Sequence, residues 1–353
     1  MSKTEVVKVD PQCPDEKKLV YASEIIRQGG LVIIPTETVY GIAADNSNPQ
    51  TIKRLIKVKK SPAKKHFSLH IAEIDTLFSI STNIPTAVFK LAERFWPGPL
   101  TMIIPTDTQE TVGVRMPDNL IAQKIIHLAG VPVVCPSANI SGKPAPRTCQ
   151  EALRDLNGHV DMALDSGPTQ LGVSSTVLDL SRKPYQIVRE GVLNSQEVIF
   201  IAQKKLILFV CTGNSCRSVM AEALLRQELN RLGRLDVEVI SAGTMFISGI
   251  GASAATIEVL RRDGIDVSAH RSRHLTRQLL QKADLILVME KSHERYILET
   301  APWVKNRLFL LKEFANVRDN GLEIPDPIGH SEEFYQRVYQ VIKTAVKRVA
   351  ELV

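Results

Sequence analysis

The stretch LILFVCTGNSCRS, residues 206–218, constrains the fold more than any other part of the chain. Five consecutive apolar residues are too few for a core helix and suit a strand buried on both faces. Gly213 and Asn214 interrupt the run, and a helical pattern follows from about Ser218 to Leu232, where Gly233 stops it. A strand that enters a glycine-containing loop and then a helix presents backbone N–H groups and a positive helix end to an anion. Further apolar runs at 237–241, 285–289 and 307–311 alternate with helical patterns near 254–262 and from about Glu332. Alternation of this kind predicts a doubly wound, parallel α/β sheet with its ligand beyond the strand C-termini.

The N-terminal part alternates less regularly. Apolar runs at 31–35, 67–71, 100–104, 111–116, 131–135, 175–180 and 185–189 are interspersed with helical patterns near 50–59, 86–95, 120–129 and 150–156. The runs at 100–104 and 111–116 are separated by a short polar turn, so an antiparallel pair within a mixed, twisted α/β sheet is expected. At 353 residues the chain exceeds the size at which one core stops growing. Two domains are expected, 1–200 and 204–353, with the boundary in NSQEVIFIAQKK, residues 194–205. That segment lacks the Gly, Pro and Ser enrichment of a flexible tether.

Several classes are excluded on composition. No apolar run approaches the roughly 18 residues that span a bilayer, and MSKTEVVKVDPQ is no export signal, so a cytoplasmic address is expected. The five cysteines, Cys13, Cys135, Cys149, Cys211 and Cys216, form no CxxC pair, which indicates neither a disulfide framework nor a zinc site, and no metal ligand set is expected. The net charge of +6 favours anionic partners, and its densest run holds Lys53, Arg54, Lys57, Lys59, Lys60, Lys64 and Lys65.

In the loop at 211–218, Cys211 and Arg217 can both approach a tetrahedral oxyanion held by the backbone. Cys211 is the expected nucleophile, a thiolate favoured by the helix N-terminus and by Arg217, whose planar fork suits two phosphate oxygens. Attack by the thiolate forms a phosphocysteine and divides one difficult hydrolysis into two easier steps. Asp326, in IPDPIG, supplies an acid for the leaving group and then a base for water. Together with ISAG at 240–243, these motifs resemble the low-molecular-weight protein tyrosine phosphatase family over about 206–353, and so imply a flavodoxin-like fold without a cofactor. The resemblance implies Cys211 as nucleophile, Arg217 as phosphate clamp and Asp326 as general acid, with Thr212, Gly213, Asn214, Ser215, Cys216 and Ser218 in the phosphate loop. It makes Asn214 and Ser218 stabilisers of the thiolate and Cys216 a thiol that can trap oxidised Cys211. Tyrosine-specific members carry a bulky aliphatic residue at the position of Ser215 and a Tyr pair after Asp-Pro. CTGN and the Gly after DPI look closer to the protein arginine phosphatases, which have Thr at that position, so phosphoarginine is favoured over phosphotyrosine on phosphorylated protein substrates.

In the N-terminal half, IPTETVYGIAAD (34–45), FWPGPLT (95–101), TVGVRMP (111–117), CPSANISGKPAP (135–146) and VSSTVLDL (173–180) each join an apolar run to hydroxyl, amide, guanidinium or glycine residues. Loops of this kind converge on a polar, anionic ligand. In this order they resemble the YrdC-like threonylcarbamoyl-AMP synthases over about 18–194. The resemblance implies synthesis of L-threonylcarbamoyladenylate from threonine, bicarbonate and ATP with Mg2+, with release of pyrophosphate. The product would pass to a tRNA-modifying transferase complex for N6-threonylcarbamoyladenosine formation. Thr36, His70, Arg115, Ser137 and Ser175 would surround threonine, and Lys59, Thr111, Asn139 and Arg189 would surround ATP. The family shows Lys-x-Arg after its basic helix, whereas this chain reads Lys59, Lys60, Ser61; Lys60, Lys64 or Lys65 would then supply the charge. An alternative kept open is that the N-terminal half is only an RNA-binding module and the chain a phosphatase alone.

Overall fold

The computed structural model describes residues 3–63, 66–108, 110–317 and 321–353, so Lys64 and Lys65 of the basic run lie outside the described residues. The chain divides into two compact units, Met1–Ala202 and Gln203–Val353.

The first unit is built on ten strands: β1 (Glu5–Lys8), β2 (Val32–Ile34), β3 (Gly41–Asp45), β4 (Leu69–His70), β5 (Leu100–Pro105), β6 (Thr111–Arg115), β7 (Val133–Val134), β8 (Met162–Asp165), β9 (Thr176–Asp179) and β10 (Gln186–Arg189). They lie in the order β1-β8-β2-β3-β7-β4-β6-β5-β9-β10, and the sheet mixes parallel and antiparallel pairs. The expected antiparallel pairing of 100–104 with 111–116 is β5 on β6, with Met102 opposite Val114. Alternate residues divide between two cores, as a strand's period of two requires. Val32, Ile34 and Ala43 pack under the helices Glu16–Arg27 and Leu120–Ala129. Leu31, Ile33, Ile42 and Ala44 pack on the other side with Leu55, Ala152 and Leu156. A third core joins β5, β6 and β9 to the helix Thr86–Phe95.

The segment read as a boundary is a helix, Ser195–Gln203. The Asn194 side chain caps it, accepting hydrogen bonds from the backbone N–H groups of Gln196 and Glu197 at 2.9 and 3.1 Å. Val198 and Ala202 are buried in the third core of the first unit, which explains the absence of linker residues.

The second unit has four parallel strands, β11 (Lys205–Cys211), β12 (Val237–Gly243), β13 (Leu285–Val288) and β14 (Leu308–Leu310), in the order β12-β11-β13-β14. Leu206, Leu208 and Val210 face one core, while Ile207, Phe209 and Cys211 face the other, which holds the helices Arg217–Arg231 and Glu332–Leu352. Burial on both faces accounts for the unbroken apolar run that opens the motif.

Candidate active sites

β11 delivers Cys211 to the carboxyl edge of its sheet, and the helix Arg217–Arg231 starts six residues later. The loop between them must curl back on itself. Asn214 adopts the left-handed conformation with φ 52°, which Asn tolerates because its side chain can bond locally. Its Oδ1 accepts the Arg273 N–H at 2.9 Å, and its Nδ2 donates to Ser241 Oγ at 2.7 Å and Ser218 Oγ at 3.0 Å. Ser218 Oγ in turn lies 2.9 Å from Cys211 Sγ. The loop also presses on β12: a Cβ on Gly243 would lie 2.6 Å from the Thr212 carbonyl, so only glycine fits.

Arg217 is 1% exposed, yet charged. Its guanidinium donates to Glu290, to Asp326 and, at 2.9 Å, to the Ile324 carbonyl. Burial raises the Glu290 carboxyl, but the hydrogen bond and charge of Arg217 outweigh it and leave the group below its ordinary value. The loop is thus braced by Glu290 at the C-terminal end of β13 and by His270, whose Nε2 donates to the Asn214 carbonyl at 2.8 Å. Sequence reasoning missed both. The signal for Glu290 was its position just after a buried parallel strand, where such sheets carry their ligands.

Cys216 caps the helix with its thiol buried among hydroxyls, donating to Ser253 Oγ at 3.3 Å and lying 3.5 Å from Tyr335 Oη. Burial, followed by the hydrogen bond to Cys216, pushes Tyr335 up to about 12. Ser215 sits in the loop with its Oγ 3.6 Å from Cys216 Sγ and its carbonyl accepting the Ser253 N–H at 3.0 Å.

The first unit holds a cleft of about 260 Å³ at the meeting of its loops. Thr36, His70, Arg115, Ser137, Ser175, Lys59, Asn139 and Arg189 all line it. Thr111 does not: it is exposed and opens β6, whereas Arg115 closes the same strand at the cleft. Four residues of strand separate them by about 13 Å, which the motif TVGVRMP could not reveal on paper.

Each lining group is held in place by the fold. Thr36 Oγ1 donates to the Val39 carbonyl at 2.7 Å and fixes the turn from β2 into β3. A Cβ on Gly41 would lie 2.4 Å from Cys135 Sγ, so glycine there lets the 135–146 loop bridge onto β3. Lys59, 3% exposed, donates to the carbonyls of Ser137 and, at 2.8 Å, Asn139. Ser61 Oγ, at the position where an arginine was expected, lies 2.6 Å from Ser141 Oγ at the cleft. Arg189 donates to the Ser175 carbonyl at 3.0 and 2.9 Å and to its Oγ at 2.9 Å. Burial, reinforced by Arg115, pushes His70 down to about 3. Its Nδ1 lies 3.2 Å from the Ser68 carbonyl and therefore carries the proton, which leaves Nε2 as an acceptor. Arg115 donates from Nη2 to Glu37 Oε1 at 2.6 Å and Thr38 Oγ1 at 2.9 Å, and from Nε to the Gly98 carbonyl at 3.2 Å. Glu37 was read only as part of a polar loop; it is 4% exposed, and its Oε2 has no hydrogen-bond partner among the described residues.

Comparison with known proteins finds relatives for each unit. The family model Sua5_yciO_yrdC, described as telomere recombination, matches residues 24–191, and that of the low molecular weight phosphotyrosine protein phosphatases matches residues 206–353. A putative threonylcarbamoyl-AMP synthase of Mycobacterium tuberculosis H37Rv is 30% identical over 189 residues, 51% of this chain and 87% of that protein. A protein-arginine-phosphatase of Geobacillus stearothermophilus is 41% identical over 145 residues, 41% of this chain and 93% of that protein. The chain belongs to both families. Its Sua5/YrdC half is also 40% identical over 193 residues to the threonylcarbamoyl-AMP synthase of Pyrococcus abyssi, covering 52% of this chain and 57% of that protein. The chain therefore spans little more than half the length of the first synthases it matches. The crystal structure of P. abyssi Sua5 complexed with L-threonine aligns with a TM-score of 0.54 at 26% identity, covering 87% of this chain and 99% of that one. Among the described residues no helix is long and apolar enough to cross a membrane, and no group of three or more His, Cys, Asp or Glu could hold a metal ion.

Proposed function

We propose that the Sua5/YrdC half makes L-threonylcarbamoyladenylate from threonine, bicarbonate and ATP, releasing pyrophosphate. The convergence of eight polar side chains from strand ends, a helix end and loops on one cleft supports this reading. In it, Arg115 pairs with the threonine carboxylate, and the neutral His70 offers Nε2 as an acceptor to the substrate. Lys59 and Arg189 would flank the nucleotide phosphates, and Mg2+ brought with the nucleotide would add neutralising charge there. The adenylate would then serve tRNA modification. Release of pyrophosphate that depends on both threonine and bicarbonate tests the reading. No release, with RNA binding intact, would favour the RNA-binding module instead.

We propose that the phosphatase half hydrolyses phosphorylated proteins through a phosphocysteine on Cys211. The buried Arg217, bonded at once to Asp326 and within the loop that carries Cys211, supports this reading. Attack by Cys211 Sγ on phosphorus breaks the bond to the leaving atom, which takes its proton from Asp326; the Asp326 carboxylate then accepts a proton from the water that releases phosphate. Phosphoarginine is the favoured substrate, on the motif CTGN and the glycine after Asp-Pro. Hydrolysis of an aryl phosphate by the wild type, lost by at least about a thousandfold in Cys211→Ser, is the expected outcome. Retention of activity in that variant would overturn the assignment.

A further inference from the structure

His293 stands behind the phosphate loop and has no part in the chemistry above. It lies in the first turn of the helix Lys291–Thr300, three residues after Glu290, and is 3% exposed. Its Nε2 is 2.9 Å from the Thr212 hydroxyl, and its Nδ1 is buried with no hydrogen-bond partner among the described residues. A buried polar atom left unpaired works against folding, so its presence calls for a physical reason. Burial and then Arg217 lower the pKa of His293, against the opposing pull of Glu290, Asp326 and Glu323.

The Thr212 hydroxyl connects this histidine to the clamp. Arg217 Nη2 donates to Thr212 Oγ1 at 3.4 Å, and a guanidinium can only donate. With one lone pair of Thr212 Oγ1 taken by Arg217, the hydroxyl proton can be given to His293 Nε2 when that nitrogen is bare. The lowered pKa favours a neutral imidazole, and this arrangement takes the tautomer with its proton on Nδ1. A protonated His293 would instead donate to Thr212 and set a second positive charge beside Arg217, and the direction of the His293–Thr212 hydrogen bond would reverse.

We infer that His293 is a positioning residue for the phosphate clamp: as a neutral acceptor it orients the Thr212 hydroxyl, which holds the Nη2 arm of Arg217 at the phosphate loop. Glu290 and Asp326 hold the guanidinium from their own sides, and the His293–Thr212 pair holds it from the loop itself. The loop residue that follows the nucleophile is thereby tied to the helix Lys291–Thr300 through a side chain 81 residues away. The inference rests on the phosphatase reading.

The test is a double-mutant cycle on the full chain with an aryl phosphate substrate and inorganic phosphate as competitive inhibitor. His293→Asn and Thr212→Val are each expected to lower kcat/KM about tenfold and to weaken phosphate inhibition similarly, with the melting temperature little changed. The double variant is expected to be no worse than either single, because both remove one chain of contacts. A nitrogen NMR spectrum of the histidines should show one ring with Nδ1 protonated and Nε2 bare, lost in His293→Asn. Additive losses, or silent variants in an active wild type, would overturn the inference. An inactive wild type would instead refute the phosphatase reading. If His293→Asn fails to fold, Thr212→Val and the wild-type spectrum decide the matter: a silent Thr212→Val, or a ring protonated on Nε2, refutes the inference.

Discussion

The carboxylate of Glu37 and the guanidinium of Arg115 meet at 2.6 Å with side chains only 3% and 6% exposed. The pair belongs to the loop after β2 and the end of β6, 78 residues apart, and it neutralises a charge that would otherwise stand alone in the wall of the cleft. Glu37 thus acts as the partner that makes a buried Arg115 tolerable.

Removing one partner of such a pair leaves an uncompensated buried charge. Glu37→Ala is expected to destabilise the first unit by about 3 to 5 kcal/mol. The double variant Glu37→Leu with Arg115→Met, which buries no charge, is expected to lose markedly less. Urea denaturation of the two variants against the wild type checks the order, and equal losses would contradict it.

Ser61, where the resemblance leads to an expected arginine, pairs its hydroxyl with Ser141 of the cleft. Ser61→Arg is expected to add a charged fork near the nucleotide. An added charge-assisted hydrogen bond of about 1 to 1.5 kcal/mol lowers the KM for ATP roughly five- to tenfold. Steady-state pyrophosphate release over a range of ATP concentrations provides the measurement, and an unchanged KM would show that other cations already fill the role.

His70 makes the first unit sensitive to acid. Its folded pKa of about 3 lies below the ordinary 6.5, so below pH 6.5 the unfolded chain binds a proton that the folded one refuses. Its contribution to stability is complete above about pH 6.5 and falls progressively as pH drops toward 3. Between pH 6.5 and 4.5 the loss amounts to about 2 to 3 kcal/mol. His70→Asn cannot titrate and is expected to show a flatter stability profile over that range; an identical slope would exclude His70 as the source.

At Ser215 the phosphatase loop carries a hydroxyl without a methyl. Ser215→Thr is expected to raise the ratio of phosphoarginine to phosphotyrosine turnover several-fold, since the added methyl crowds a flat aromatic ring more than a guanidinium. Kinetics on both substrates decide it. A wild type that prefers phosphotyrosine would reverse the substrate assignment.

The parts of the fold that were legible are those whose burial is written locally. β11 reads as a strand because both its faces are covered, and the helix after it reads from its periodicity and from Gly233 at its end. The elements missed carry weak local signals. β3, GIAAD, is small and nearly featureless, and it is a strand because Gly41 permits the close approach of Cys135. β1, EVVK, has only four residues, and pairing with β8 makes it a strand. The helix Ser195–Gln203 lies in the segment read as a boundary, and the division between the units falls at its end; only the third core shows where Val198 and Ala202 go.

The two sites divide along the same line. Cys211, Asn214, Arg217 and Ser218 fall within one strand–loop–helix turn, so their spacing alone was enough to place them in one loop. What holds Arg217 in place came from tertiary structure: Glu290, Ile324 and Asp326 reach it from 73, 107 and 109 residues away, and no local pattern encodes contacts at that range. In the first unit the sequence supplied the polar loop ends, and the sheet order decided which of them share a cleft. Arg115 and Thr111 sit on one strand, but a strand advances about 3.3 Å per residue, so the Arg115 end of β6 lines the cleft and the Thr111 end does not.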